Sequence, residues 1–130
     1  MAPTWGIDNR TVALRIPNGP ATARRIEHRV AGADANPYLA MAALLAGTLH
    51  GLSNDLPLSV QTTGNGALQQ APSLPLNWVD AYAKFEHSEF AQTYFGGDFM
   101  KVYGAVQRQE YVDFNSQVSR LEIDWYQRTL

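Results

Sequence analysis

Five arginines stand close together near the start of this 130-residue chain, within residues 9–29. They are half of its ten basic residues, and the segment contains no lysine. A guanidinium presents a planar fork of donors that fits two oxygens of a phosphate or carboxylate at once, whereas a lysine ammonium acts as a point charge. The choice of arginine therefore predicts a site that holds anions. Its members are Arg10, Arg15, Arg24, Arg25 and Arg29.

One acidic residue, Glu27, lies among these arginines. Arg25, Glu27 and Arg29 are two residues apart, so they share one face if the segment is a strand, whereas Arg24 falls on the other face and is assigned no site role. Positive charge on both sides keeps a carboxylate ionised at neutral pH, which suits a metal ligand. An ion-paired strand face that binds nothing explains the same pattern. The residues by themselves leave both interpretations open.

Two predicted strands within residues 1–30 position these side chains. The first is marked by apolar residues at alternate positions and ends at the turn sequence 17–20, which holds two prolines and a glycine. The second carries Glu27 on one face and apolar residues on the other. We therefore predict a short antiparallel strand pair. Its apolar positions are Val12, Leu14, Ile16, Ile26 and Val30.

The fold class expected for the whole chain is α+β, with three to four helices after the strand pair. Asn36 can cap a helix that has Pro37 in its first position and stops at Gly51. Apolar and small residues surround this helix on nearly every side. We therefore expect a buried helix over residues 36–51.

Residues 53–76 combine several prolines and glycines with no periodicity. They predict a long loop that is functional, packed on a part of the protein absent from this chain, or mobile. The region 77–130 is predicted to be helical, with Asn77 capping one helix, a glycine pair ending it, and a long helix following. Ser119, three residues before a glutamate, predicts a capping box at the start of a last helix.

Bulk composition narrows the class of protein. A hydrophobic content of 45% over 130 residues suffices for one domain, and the lack of cysteine excludes disulfides and thiolate metal sites. No apolar run reaches the roughly 18 residues of a membrane span and no leader is recognised, so we expect a cytoplasmic protein without a membrane partner. Residues 1–30 carry five arginines against two acids, and residues 31–130 carry five basic residues against ten acids. This concentrated positive charge argues against a nucleic-acid partner.

Several short pieces of the first 40 residues occur in a distinctive order. Each is weak alone, but the ordered set resembles the C-terminal part of the catalytic domain of the glutamine synthetase family. The likeness is strongest over residues 5–51 and extends more loosely to the C-terminus. The pieces are Asn9–Thr11, Leu14–Pro17, Arg24–Glu27, Arg29 and Ala35–Ala40.

The resemblance implies a ligase that uses ATP, with Mg²⁺ or Mn²⁺, to phosphorylate the γ-carboxylate of glutamate before an amine displaces the phosphate. By their places in these pieces, Arg10 would be the catalytic residue at the γ-phosphoryl group, and Arg10, Arg15 and Arg25 would hold the phosphates of ATP. Glu27 would be a metal ligand, and Arg29 would pair with the substrate glutamate. Phosphoryl transfer depends on positioning and on neutralising oxygen charge, which suits these residue types.

The residues around Arg29 separate branches of the family. His28 and residues 30–34 are more similar to the γ-glutamylpolyamine (γ-glutamylputrescine) synthetases, which implies a polyamine acceptor. The alternatives are a glutamine synthetase that uses ammonia and a non-catalytic oligomerisation module. His28 faces away from Glu27 and is predicted to be a hydrogen-bonded core residue. The family also forms homo-oligomeric rings, so the resemblance implies a ring for the full-length protein.

The arginine motif begins within ten residues of Met1, whereas the family's other metal ligands and most of its ATP pocket come before this motif in sequence. Glu27 alone cannot hold a divalent metal, which requires several oxygen ligands. We therefore expect a C-terminal fragment of a longer enzyme, inactive by itself.

Overall fold

The computed structural model describes residues 3–69 and 74–127 of the chain. The chain forms two compact units, Met1–Leu74 and Pro75–Leu130, called here the N-terminal and C-terminal units. Within its described residues, the first contains three short strands and one α-helix: β1 (Trp5–Ile7), β2 (Leu14–Ile16), β3 (Glu27–His28) and α1 (Pro37–Ser53). As far as residue 127, the second contains four α-helices: α2 (Trp78–Glu86), α3 (Glu89–Phe95), α4 (Gly97–Asn115) and α5 (Arg120–Tyr126). The predicted α+β class is confirmed.

The strands form one sheet in the order β1-β2-β3. The predicted antiparallel pair is confirmed as β2 and β3, which place Arg15 opposite Glu27. The additional strand, β1, runs parallel to β2. Only residues 8–13 join these two strands, although a parallel connection ordinarily takes a dozen residues or more. The chain turns sharply because Asp8 adopts a left-handed backbone conformation, with φ of 49°.

The core of the N-terminal unit surrounds this tight connection. Val12, Ala13 and Thr62 are buried, and Val12 is completely inaccessible to solvent. Thr62 comes from the region that the sequence predicts as a long loop. The core is therefore built from the β1–β2 connection and the loop that follows α1.

The described portion of the predicted loop packs on β1. The backbone N–H of Thr62 donates to the carbonyl of Trp5 over 2.9 Å, and the Trp5 indole donates to the carbonyl of Ser59 over 2.8 Å. Gly6 permits this close approach, since a Cβ there would lie 2.7 Å from the Thr62 oxygen. Residues 70–73 of the predicted loop lie outside the described part of the chain.

Helix α1 begins as predicted, with the Asn36 side chain accepting from two backbone N–H groups of the first turn. It continues through Gly51 and ends at Ser53, so the expected stop at Gly51 is wrong. The expected burial is also wrong, because no residue of α1 is buried in this chain and Tyr38 is 84% exposed. Strands of two and three residues cannot cover a helix that is apolar on all sides.

Two caps predicted for the C-terminal unit are present. Asn77 caps α2, and Ser119 forms a complete capping box with Glu122. The helix expected between Asn77 and the glycine pair is divided, because Ser88 caps a new helix, α3. This division gives five α-helices among the described residues instead of three to four. Aromatic rings join α2, α3 and α4, with Phe85 against Tyr103 at 5.4 Å between ring centroids.

No helix within residues 3–69 and 74–127 combines the length and the apolar character needed to cross a bilayer.

Candidate functional site

Arg15 lies between two carboxylates on the sheet. Its Nη1 donates to Oε2 of Glu27 and its Nη2 to Oδ1 of Asp8, each over 2.7 Å. The side chain is only 15% exposed, and its buried Nε has no hydrogen-bond partner. Both carboxylates favour the charged guanidinium, so the pKa of Arg15 is raised, with the hydrogen bond to Glu27 as the largest cause. Arg15 therefore forms ion pairs with both carboxylates of this cluster.

Both oxygens of Glu27 are occupied by guanidiniums. Oε2 accepts from Arg15, and Oε1 accepts from Nη2 and Nε of Arg25 at 2.9 and 3.2 Å. The hydrogen bond from Arg15 is the main cause that lowers the pKa of Glu27, partial burial opposes it, and Arg25 adds to the lowering. The carboxylate does stand between two guanidiniums, but these belong to Arg15 and Arg25 and not to Arg25 and Arg29.

Asp8 belongs to this cluster, although its sequence context predicted no role for it. Its Oδ1 accepts from Arg15 and also from the backbone N–H of Asn18, over 3.1 Å. Its own N–H donates to the carbonyl of Ile16 over 3.0 Å, which anchors the residue at the end of β2. Aspartate adopts a left-handed backbone conformation more readily than most residues do. That preference is the feature of the sequence that could have indicated a role for Asp8.

Arg10 and Arg29 lie at the surface with their guanidiniums uncommitted. Within residues 3–69 and 74–127, neither side chain takes part in an ion pair or a hydrogen bond. The backbone of Arg29 is fixed, because its N–H donates to the carbonyl of Ala13 over 2.9 Å and extends the pairing of β2 with β3. The structure thus brings together Arg15, Arg25 and Glu27 and leaves these two arginines available for anions.

The backbone around Arg10 is held by its two neighbours, a feature that was not predicted from the sequence. The Asn9 side chain accepts from Thr11 and donates to the loop after α1. An asparagine that bonds to a residue two positions on is a known turn pattern. That pattern was visible in the sequence Asn9-Arg10-Thr11.

The described residues do not form a complete metal site. Among them, no group of three histidine, aspartate or glutamate side chains is placed to hold a metal ion. Glu27 is engaged with two arginines, and Asp8 shares one of them. Mg²⁺ is bound by about six oxygens, of which waters and phosphates can supply several. The described residues alone therefore offer at most a partial ligand set.

His28 is exposed, so the prediction of a core histidine is wrong. It pairs with Leu14 in the sheet register and lines an open, mostly apolar groove of about 460 Å³. Leu44 and Gly47 of α1 line the same groove. The site arginines and His28 thus do not form one cluster.

The sequence matches a known protein family over most of its length. Residues 1–126 match the family described as the glutamine synthetase catalytic domain. The chain belongs to the glutamine synthetase family. The prediction made from the ordered pieces of sequence is therefore confirmed.

Within the glutamine synthetase family, the chain is 47% identical over 122 residues to γ-glutamylputrescine synthetase PuuA of Escherichia coli, covering 94% of this chain and 26% of that protein. It is 39% identical over 132 residues to type-1 glutamine synthetase 2 of Dictyostelium discoideum, covering 95% of this chain and 25% of that protein. The chain spans about a quarter of the length of these relatives.

The fold is similar to that of a solved structure described as apo GmaS without ligand. The two superimpose with a TM-score of 0.79 at 31% sequence identity. The match covers 95% of this chain and 29% of the solved one. The α+β arrangement described above is thus found in a solved structure.

Proposed function

We propose that this chain is the C-terminal part of the catalytic domain of an ATP-dependent ligase that joins glutamate to an amine through γ-glutamyl phosphate. The observation that carries the proposal is the division of the arginines into two sets. Arg15 and Arg25 are paired with carboxylates, while Arg10 and Arg29, like Arg24, which has no proposed role, remain exposed and free to bind anions. A ligase of this kind must hold phosphate and carboxylate oxygens at once, which requires such free guanidiniums.

In this proposal Arg10 contacts the transferring γ-phosphoryl group and is the catalytic residue of the chain. Arg25, whose side chain is 58% exposed, and Arg15 contribute to the phosphate site. Since Arg15 is largely covered, its contacts support a second role in orienting Glu27. Arg29 binds the carboxylate of glutamate, because a guanidinium fork fits two carboxylate oxygens.

The cofactors proposed are ATP and Mg²⁺ or Mn²⁺, with Glu27 as one metal ligand. The other protein ligands would come from the remainder of a longer protein, since the relatives are about four times the length of the chain. A divalent ion on Glu27 would compete with the guanidiniums that now occupy both oxygens. We further propose that the full-length protein is a cytoplasmic homo-oligomeric ring, as implied by the family resemblance.

The acceptor proposed is a polyamine such as putrescine. The 47% identity to an enzyme named for putrescine supports this choice over the 39% identity to a glutamine synthetase. Ammonia is the second candidate, favoured by that latter relative. A non-catalytic oligomerisation module is the third, and the exposed apolar surface of α1 favours it.

The test is ADP formation from ATP and glutamate with Mg²⁺ or Mn²⁺, while ammonia, putrescine and ethanolamine are supplied in turn. The assay should use the full-length protein and, in parallel, the 130-residue chain. We expect putrescine-dependent ADP formation by the full-length protein and none by the chain. A preference for ammonia would select glutamine synthetase. Failure of every amine with the full-length protein would refute the ligase and favour the non-catalytic module.

A further inference from the structure

The turn that presents Arg10 is closed by the side chain of Asn9. Its Oδ1 accepts from the N–H and from the hydroxyl of Thr11, at 2.9 and 2.6 Å. Its Nδ2 donates to the carbonyls of Thr62 and Gly64, at 3.2 and 2.7 Å. The amide of Asn9 thus uses both of its ends, one within the turn and the other on the loop that follows α1.

Thr11 connects the other side of the turn to the same loop. Its hydroxyl oxygen accepts from the backbone N–H of Gly66 over 2.8 Å, while its proton goes to Asn9. Gly66 is buried and lies so close that a Cβ there would be 2.8 Å from the Thr11 carbonyl oxygen. The 62–66 segment therefore supports the turn from both sides of Arg10.

We infer that Asn9 and Thr11 are positioning residues for Arg10, with the 62–66 segment as their support. This inference rests on the proposed function, in which Arg10 contacts the γ-phosphoryl group. The Arg10 side chain is exposed, and no side chain of the described residues holds it. The position of its guanidinium therefore depends on the backbone conformation of the turn. Catalytic groups must be placed within a fraction of an ångström, and a 1 Å misplacement can cost about 100-fold in rate.

The first test is a matched pair at Thr11 in the full-length ligase. Thr11→Val keeps the shape but removes the hydroxyl and its bonds, to Asn9 and to Gly66, and leaves only the bond from the Thr11 backbone N–H to Asn9. Thr11→Ser retains all three. We expect Thr11→Val to lower kcat by roughly 10- to 100-fold with little change in KM for ATP, since the loss is one of placement. Thr11→Ser should restore most of kcat. Equal activity of the two variants would overturn the inference.

A double-mutant cycle with Arg10→Ala separates this inference from the proposed function. If Arg10→Ala leaves kcat unchanged, the proposed role of Arg10 fails. If Arg10→Ala lowers kcat and Thr11→Val then adds nothing, the effect of Thr11 runs through Arg10, as we infer. If the two losses multiply, Thr11 acts elsewhere and the inference is wrong, while the proposed function stands.

Amide hydrogen exchange in the 130-residue chain gives a test that does not depend on enzyme activity. Thr11→Val should accelerate exchange at the N–H groups of Thr11 and Gly66, because it loosens the turn and leaves Gly66 without its acceptor. Thr63→Val is the matched control, since Thr63 is exposed in the same loop and the substitution is identical. Unchanged exchange at Gly66 in Thr11→Val would contradict the support described here.

Discussion

Arg15 and Glu27 stand directly opposite each other on β2 and β3, and Nη1 of the arginine donates to Oε2 of the glutamate over 2.7 Å. Opposite charges in directly facing positions stabilise an antiparallel pair. The same guanidinium also holds Asp8, at the start of the β1–β2 connection. One arginine therefore fixes both the register of the strand pair and the path of the chain toward Arg10.

The N-terminal unit is expected to lose stability in acid through Glu27. Its pKa is lowered in the folded state, chiefly by the hydrogen bond from Arg15. The stabilisation is therefore fully present above the ordinary carboxyl pKa of about 4.3 and is lost as the pH falls through the lowered value. Thermal unfolding of the chain between pH 7 and pH 2 measures this loss. The melting temperature of the Glu27→Gln variant should depend less on pH in that window. An identical pH dependence in the two proteins would mean that Glu27 is not the source of the acid sensitivity.

Removal of Arg15 should raise the pKa of Glu27 toward its ordinary value. The arginine supplies the largest lowering, and Arg25 supplies a smaller one. An NMR titration of the Glu27 carboxyl carbon measures the change in Arg15→Met, with Arg25→Met as the matched control. We expect the larger upward shift in Arg15→Met. A larger shift in the control would mean that Arg25 is the principal partner.

Gly66→Ala should destabilise the N-terminal unit. The added methyl would lie 2.8 Å from the Thr11 carbonyl oxygen and 3.1 Å from Cγ1 of the buried Val12. Overpacking of this kind costs about 1–3 kcal/mol. Gly64→Ala is the control, because no atom lies within 4 Å of a Cβ placed there, and its effect should stay within about 0.5 kcal/mol. Chemical denaturation of both variants measures the difference, and similar losses would argue against the close contact.

Arg29→Lys in the full-length protein should impair the use of glutamate more than that of ATP. One ammonium cannot reproduce a bidentate fork, and the loss of one charge-assisted hydrogen bond corresponds to about a 10-fold or greater increase in KM for glutamate. Arg24→Lys serves as the control, since Arg24 is also exposed and has no proposed role. Steady-state kinetics with each substrate varied in turn gives both constants. An unchanged KM for glutamate in Arg29→Lys would remove Arg29 from the substrate site.

The strand, strand-face and helix-cap features that could be predicted from the sequence depend on short local patterns of residues. Alternation over Val12, Leu14 and Ile16 located β2, and the parity of Glu27 correctly placed it on the charged face of its strand. The caps at Asn36 and Asn77 followed from residue types that accept backbone hydrogen bonds. Each of these features depends on neighbours within a few positions of the chain.

The features that sequence could not give depend on distant partners. Strand β1 has only three residues, and its neighbours are β2 and the loop at Thr62, so no periodicity marks it. The contact of Asp8 with Arg15 depends on a left-handed backbone that aspartate adopts only in some contexts. The composition of α1 indicated a helix that needs covering, but could not show that this chain leaves it exposed.

The bonds from Asn9 to Gly64 and from Gly66 to Thr11 each join residues 55 positions apart. The cost of closing a chain segment rises with the logarithm of its length, and contacts of long range slow folding. During synthesis, the arginine turn can be closed only after the ribosome has released the chain beyond residue 66. We therefore expect α1 to form before the turn around Arg10 acquires its final shape.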